Sequence, residues 1–325
     1  MSPQPSASQA LPRFLAIGRA LRAGGGFLDD WTALQHAALA LPLVEGQPED
    51  LARSMRERMA ELRAGASWWR RLSGSLRAFA ATALIQTGQS SVGFYAELER
   101  VRTSFRLAKL PRDSMAEVLG FLVLRDQSPG QRVRDGDVAR MGELYREIKK
   151  DHRWLLGAGE YPTLALLALT DTPAPEVARR VEALLQRLEA RGFRSRARLL
   201  PIAQLLFLAP DADEVACARF EALWKEFQGA GLRMLSSDYD EVALLAFANR
   251  APREIVRCVL EHREQIRTLK PKPTRDIGFS LACATAFLEL VGSDPQLRKL
   301  AKAQAALQMR SILVARQAAA AGAAS

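Results

Sequence analysis

Four apolar segments return along the chain at one fixed interval, and that interval narrows the possible folds more than any other feature. Leu164–Leu169 (LALLAL), Ala203–Leu208 (AQLLFL), Val242–Phe247 (VALLAF) and Leu281–Ala286 (LACATA) start 39 residues apart each time. The amphipathic segments that follow them keep the interval. Val181, Phe220 and Val259 are 39 apart, and so are Leu188, Phe227 and Ile266. Gly192 and Gly231, placed where a glycine ends a helix, share it. One further segment upstream, with Met141, Tyr145 and Ile148, fits at a shift of 40 from Val181, Leu185 and Leu188.

A two-helix unit of this length is the pattern of stacked helical hairpins, longer than a tetratricopeptide unit and just short of HEAT and armadillo units. The faces give the physical reason. The first helix of each unit is apolar almost all round and must be covered on several sides. The second carries one apolar stripe, for example Val177, Val181, Leu184, Leu185 and Leu188, and turns Arg179, Arg180, Glu182 and Arg187 to water. One hairpin cannot cover its own apolar helix, whereas neighbours stacked on either side can. An α-solenoid-like C-terminal half over 138–317 is therefore expected. Its end cap would be a helix from about Asp294 to Ala318, with Leu297, Leu300, Leu307 and Val314 as a narrow seam.

Composition extends the all-α reading to the rest of the chain. Among 325 residues there are only 15 Val and 8 Ile, while Leu, Ala and Arg are abundant. The latter lose little side-chain freedom in a helix, and no segment alternates apolar with polar residues as a strand would. Helices are expected near 12–23, 31–41, 49–64, 67–87, 92–109 and 112–126, forming a less regular part over 11–126. Asp113 or Ser114 is placed to cap the last of these. The stretch 127–137, with Pro129, Gly130 and Gly136 among mixed charges, reads as a loop or seam between the halves. Residues 1–10 and 318–325 read as disordered tails.

The segment from Tyr145 to Phe207 adds a resemblance. It reads YREIKKDHRWLLGAGEYPTLALLAL, then an amphipathic helix ending LEARGF, then RLLPIAQLLFLA. It resembles the bacterial family catalogued as domain of unknown function 4003. There a Lys-rich helix end is followed by a leucine–threonine–glycine turn, an Asp-Tyr-Pro triplet and an Ala/Leu-rich helix. Here Trp154-Leu155-Leu156-Gly157 and Glu160-Tyr161-Pro162 hold those places, with Leu156 in place of the threonine and Glu160 in place of the aspartate. The resemblance implies a bacterial cytosolic helical protein and brings no activity with it.

Chemistry-bearing residues are sparse. Of the three histidines, His36 lies mid-helix, His152 follows Lys149-Lys150-Asp151, and His262 lies in EHRE. None has another His at i+3 or i+4, which removes the two-histidine zinc motif. His262 has Cys258 four residues before it on the same face, two ligands of a zinc site without evident others, so packing is the expected role. Asp29-Asp30 reads as a helix cap, as does Ser236–Glu241. Gly24-Gly25-Gly26 lacks the Lys-Ser/Thr of a phosphate loop. No catalytic, cofactor or metal set is expected.

Cys217, Cys258 and Cys283 are too scattered for a disulfide framework, and the N-terminus lacks an apolar signal core, so a reduced, cytoplasmic protein is expected. The longest apolar stretch, Leu199–Ala209, is interrupted by Gln204 and is far below the roughly 18–20 residues of a membrane span.

The surface gives the functional expectation. Lys+Arg outnumber Asp+Glu by 46 to 36. Arg194, Arg233 and Lys272 recur at the 39-residue interval in successive loops, and Arg153 falls one residue out of register. With Arg196, Arg198, Lys270 and Arg275 nearby, and helices packing about 10 Å apart, these loops would form a basic edge some 30 Å long. Such an edge suits an acidic partner or a phosphate backbone, although only Trp154 and Phe193 could offer stacking to single-stranded nucleic acid. Trp68 and Trp69, followed by Arg70-Arg71, are candidates for a partner contact, because adjacent helical positions point about 100° apart. The expected function is a non-enzymatic helical-repeat protein engaging another protein. Nucleic-acid binding through the basic edge is the alternative from a second class, and a helical enzyme of unidentified chemistry the third.

Overall fold

The computed structural model describes residues 6–26, 30–65, 72–152 and 155–291. The expected terminal helix near 294–318, Trp68, Trp69 and Arg153 lie outside them. Among the described residues there are fourteen α-helices and no strand. They are α1 (Ala10–Ala23), α2 (Trp31–Ala38), α3 (Pro48–Ala64), α4 (Gly74–Thr87), α5 (Ser91–Leu107), α6 (Ser114–Gln127) and α7 (Asp135–Asp151). There follow α8 (Tyr161–Ala168), α9 (Ala174–Ala190), α10 (Arg196–Leu206), α11 (Asp213–Gly229), α12 (Tyr239–Leu245), α13 (Pro252–Ile266) and α14 (Arg275–Val291). No described helix is long and apolar enough to cross a membrane.

Local signals account for most boundaries. Asp113 Oδ1 accepts from the backbone N–H groups of Met115 and Ala116, so of the two expected caps the aspartate does the capping. Asp30 caps α2 through Ala33 and also accepts the Ser75 hydroxyl at 2.6 Å. The helix expected over 67–87 is described from Gly74, where Ser73 caps it. Gly192 and Gly231 take φ of +87° and +82°. Behind them Phe193 N–H reaches the Leu188 carbonyl and Leu232 N–H the Phe227 carbonyl, the six-to-one bond that closes a helix with a left-handed glycine.

The described residues divide into two compact units, one from 6–97 with 253–291 and one from 98–252. In the first, α3 packs on α1 and α4, α2 on α4, and α14 on α1 and α2. Arg13 fastens the turn after α2, its guanidinium donating to the carbonyls of Pro42, Val44 and Gly46 at 2.7–2.9 Å. Gly18 is needed for close approach, since a methyl there would stand 3.0 Å from Leu269 Cδ2.

In the second unit α7 packs on α8 and α9, α9 on α10 and α11, and α12 on α10 and α11. The loop 127–137 is held down: Ser128 donates to the Leu124 carbonyl, Val133 is buried, and Arg100 bridges Asp135 at 2.6 Å. The Glu160-Tyr161-Pro162 triplet starts α8 because Tyr161 is an anchor. Its ring is fully buried, edge-on to Phe105 with centroids 5.5 Å apart, and its hydroxyl donates to the Pro111 carbonyl. Gly120 makes room for it, for a Cβ there would meet the tyrosine Cβ at 3.2 Å. Behind Tyr161, Thr163 donates to Gln204 Oε1 at 2.8 Å, joining α8 to α10.

Candidate functional site

The residues expected to form the basic edge fall into different situations. In the second unit Arg194 and Arg233 are exposed, and Arg198 is half-buried at the start of α10. Arg196 is already engaged, with its Nη2 2.6 Å from Glu182 Oε1 and its Nε 3.9 Å from Glu189. Phe193 is buried in a cluster with Phe220, Trp224 and Tyr239, ring centroids 4.8–5.7 Å from it. It therefore offers no stacking surface. Tyr239, the first residue of α12, completes this cluster.

In the first unit Lys272 and Arg275 line a concavity of about 230 Å³ that sequence reasoning did not foresee. Lys270 is exposed in the same loop. The last turn of α13 supplies Arg263 to this hollow, and Arg267, Pro273, Thr274 and Gly278 complete its lining. Four cationic residues thus line one hollow, largely with the apolar parts of their side chains, and its described lining includes no carboxylate. Glu264 touches its edge, 3.0 Å from Arg267, where both side chains are exposed. The first turn of α14 opens here, with Gly278 N–H bonded to the Thr274 carbonyl, and a helix start favours negative charge. Two of the four cations come from α13 and its end, outside the loop positions that the 39-residue interval marks.

All three histidines are buried. His36 bonds the Thr32 carbonyl of its own helix at 2.8 Å through Nδ1. His152 places Nε2 3.0 Å from Glu182 Oε2. Burial lowers its pKa from the ordinary value, Glu182 works against that shift, and Arg196 adds to it.

His262 continues the buried stripe of Ile255, Val256, Val259 and Ile266 on α13. Its Nδ1 lies 2.9 Å from Thr285 Oγ1, its Nε2 3.2 Å from Glu289 Oε2 and 3.6 Å from Cys258 Sγ. Burial pushes the histidine down to about 4. The Cys258 thiol is pushed up to about 12 by burial first and the neighbouring carboxylates next, and Glu289 is raised by burial and by Glu261. The cysteine–histidine pair was visible in the sequence and the partners on α14 were not. Glu289 did leave a signal, as the sole charged residue from Ile277 to Val291.

The model of the family "Protein of unknown function (DUF4003)" matches residues 118–318. The chain belongs to the DUF4003 family. The match covers the Tyr161 anchor and the helices from α7 to α14, which makes the buried tyrosine and its Gly120 seat parts of a DUF4003 fold. Neither a curated protein nor a solved structure shows significant similarity to the chain.

Proposed function

We propose that this DUF4003 chain is a non-enzymatic helical-repeat binding protein that engages another protein, taking an acidic segment of it in the basic hollow between α13 and α14. The observation that carries the reading is the convergence of Arg263, Lys272 and Arg275 on one hollow with no carboxylate in its described lining, Arg267 standing at its rim bonded to Glu264. A concave site strengthens each charge contact by excluding part of the water that would screen it. Its size suits one or two carboxylate side chains better than an extended backbone. The repeat reading is supported by the 39-residue interval and by the order in which α7 to α12 pack, each hairpin on the next. A cytoplasmic setting fits three free cysteines, two of them fully buried.

One observation favours phosphate-backbone nucleic-acid binding as a second reading, the 39-residue spacing of Arg194, Arg233 and Lys272. Against it, Arg196 of the same edge is paired with Glu182, and Phe193 is buried.

Fluorescence anisotropy separates the two readings. The purified chain is titrated into a labelled Asp/Glu-rich peptide and into random-sequence DNA and RNA, each at several salt concentrations. The protein reading expects peptide binding that weakens at least about 10-fold in the double variant Arg263→Ala/Lys272→Ala, about 1.4 kcal/mol. The nucleic-acid reading expects a steep salt slope that falls by about one unit with each of Arg194→Ala, Arg233→Ala and Lys272→Ala. If neither probe binds at low salt, both readings fail.

A further inference from the structure

Cys258 and His262 lie one turn apart on α13, and Glu289 comes to them from α14. Their ligand atoms all lie within 4.8 Å of one another, the one group of three such residues that converges among the described residues. We propose that Cys258, His262 and Glu289 bind a zinc-type divalent cation, with water as the fourth ligand.

Two of the three separations are those that a tetrahedral ion imposes, and the third, between Cys258 Sγ and the Glu289 carboxylate, lies within 4.8 Å. With zinc bonds of about 2.3 Å to sulfur and roughly 2.0–2.1 Å to nitrogen and oxygen, ligands at tetrahedral angles stand about 3.6 Å apart for N···S and about 3.3 Å for N···O. The observed separations are 3.6 Å from His262 Nε2 to Cys258 Sγ and 3.2 Å from Nε2 to Glu289 Oε2. The set is borderline-soft, one sulfur, one imidazole and one carboxylate. That donor chemistry selects zinc over magnesium or calcium, which prefer oxygen ligands alone.

The histidine is also held in the tautomer a metal needs. Thr285 has a single hydroxyl proton, and that oxygen lies 2.9 Å from the Leu281 carbonyl and 3.2 Å from the Ala282 carbonyl of its own helix. With its proton committed there, Thr285 accepts from Nδ1–H of His262, and Nε2 keeps its lone pair. That lone pair points at a carboxylate oxygen, so two acceptors face each other unless a proton or a cation lies between them. An outer partner that fixes a ring in this way is what metal-ligating histidines have.

Charge balance favours the ion. Zinc with one thiolate, one carboxylate and a neutral imidazole is neutral overall, which lowers the cost of holding it in a half-buried place. Binding releases the Cys258 proton, together with any proton that Glu289 holds. The Glu289 side chain is 35% exposed, which leaves a path for the ion and a place for its water. The ion would tie α13 to α14 by a cross-link within the first unit.

The test uses the full chain, stripped with a chelator and then freed of it. Zinc is titrated with calorimetric and thermal-melt readout, and cobalt is added separately for its thiolate charge-transfer band. One equivalent of either metal is expected to bind, with a rise in Tm. Cys258→Ser should remove the cobalt–thiolate band, and His262→Ala should weaken zinc by more than the roughly 10–100-fold that loss of an outer partner costs. Glu289→Gln, on the exposed side, serves if the other variants fold poorly and should weaken zinc in the same direction. A second readout needs no variant: zinc should slow modification of Cys258 by a thiol reagent in the wild-type chain, followed by peptide mapping. The proposal is overturned if neither metal binds stoichiometrically, if binding is unchanged in the variants, or if zinc gives Cys258 no protection. In that case a proton shared between His262 and Glu289 is all the cluster holds.

Discussion

Two buried histidines in this molecule each face a glutamate at nearly the same distance, and their surroundings differ. His152 stands 3.0 Å from Glu182, and His262 stands 3.2 Å from Glu289. Glu182 accepts on its other oxygen, where Arg196 and Gln186 donate at 2.6 Å and 2.8 Å, while its Oε2 and both ring nitrogens of His152 have no hydrogen-bond partner among the described residues. The charge of that carboxylate is therefore matched within the protein. Around His262 the other neighbours are a thiol and a hydroxyl, and no arginine or lysine is bonded to Glu289 among the described contacts. Distance alone does not distinguish a structural histidine–carboxylate pair from a ligand set. What distinguishes them is whether a cation of the protein already balances the carboxylate.

The comparison breaks most visibly on metal. His262→Ala is expected to reduce zinc affinity by well over about 100-fold, while His152→Ala leaves it within experimental error, since a direct ligand outweighs an outer one. Equal losses in the two variants would show that zinc acts through general stability, and the distinction drawn above would collapse. Thr285→Val asks a narrower question at nearly constant side-chain volume. Removing the acceptor of Nδ1 should cost the metal-free chain about 1–3 kcal/mol, the price of leaving a buried donor unpaired, and should weaken zinc roughly 10–100-fold. Chemical denaturation with and without zinc measures both. A variant with unchanged zinc affinity would mean that the ring does not depend on Thr285 for its tautomer.

On the other side of the comparison, Glu182→Ala removes the acceptor shared by Arg196 and Gln186 and the carboxylate that lies beside His152. The expected cost is about 1–2 kcal/mol, because the group is partly exposed and Arg196 retains Glu189 nearby. Urea midpoints at neutral pH give the value. A cost below about 0.5 kcal/mol would assign the pair to the class of surface bridges that contribute little.

How much of this was readable beforehand follows from the range over which each feature acts. Helices, their glycine ends and their aspartate caps are local, so Asp113, Asp30, Gly192 and Gly231 could be placed from sequence. Burial of Phe193 and Tyr239 needed the packing of α11 against their loops, which no spacing within one helix reveals. The Arg196 pairing likewise depends on Glu182, 14 residues earlier on another helix. The Cys258–His262 pair was legible because i and i+4 share a face, whereas Glu289 lies 27 residues from His262 and reaches it only once α13 and α14 fold together. An isolated charge in an apolar helix was the available clue. Such a residue needs a partner to be buried, and the partner is the histidine stripe position next to it in space.

The smallest effect expected is a pH dependence that isolates His152. Its pKa is lowered by burial, with Arg196 of α10 adding to the shift and Glu182 and Glu189 of α9 and Asp151 of its own helix opposing it. Above the ordinary histidine value of 6.5 both folded and unfolded chains hold it neutral, and its contribution to stability is fully present. As pH falls below that value the unfolded chain gains a proton that the folded chain resists, so stability is lost on the way down to the folded pKa. Urea midpoints of the metal-free chain at about pH 7.5 and about pH 5.5, in wild type and in His152→Gln, measure the effect. Every other group, His262 included, is common to the two proteins, so the difference between their acid losses belongs to His152. The variant should lose less stability on acidification than the wild type. Equal losses would mean that Glu182 offsets burial, and that the histidine whose carboxylate is already balanced is nevertheless free to charge in the folded state.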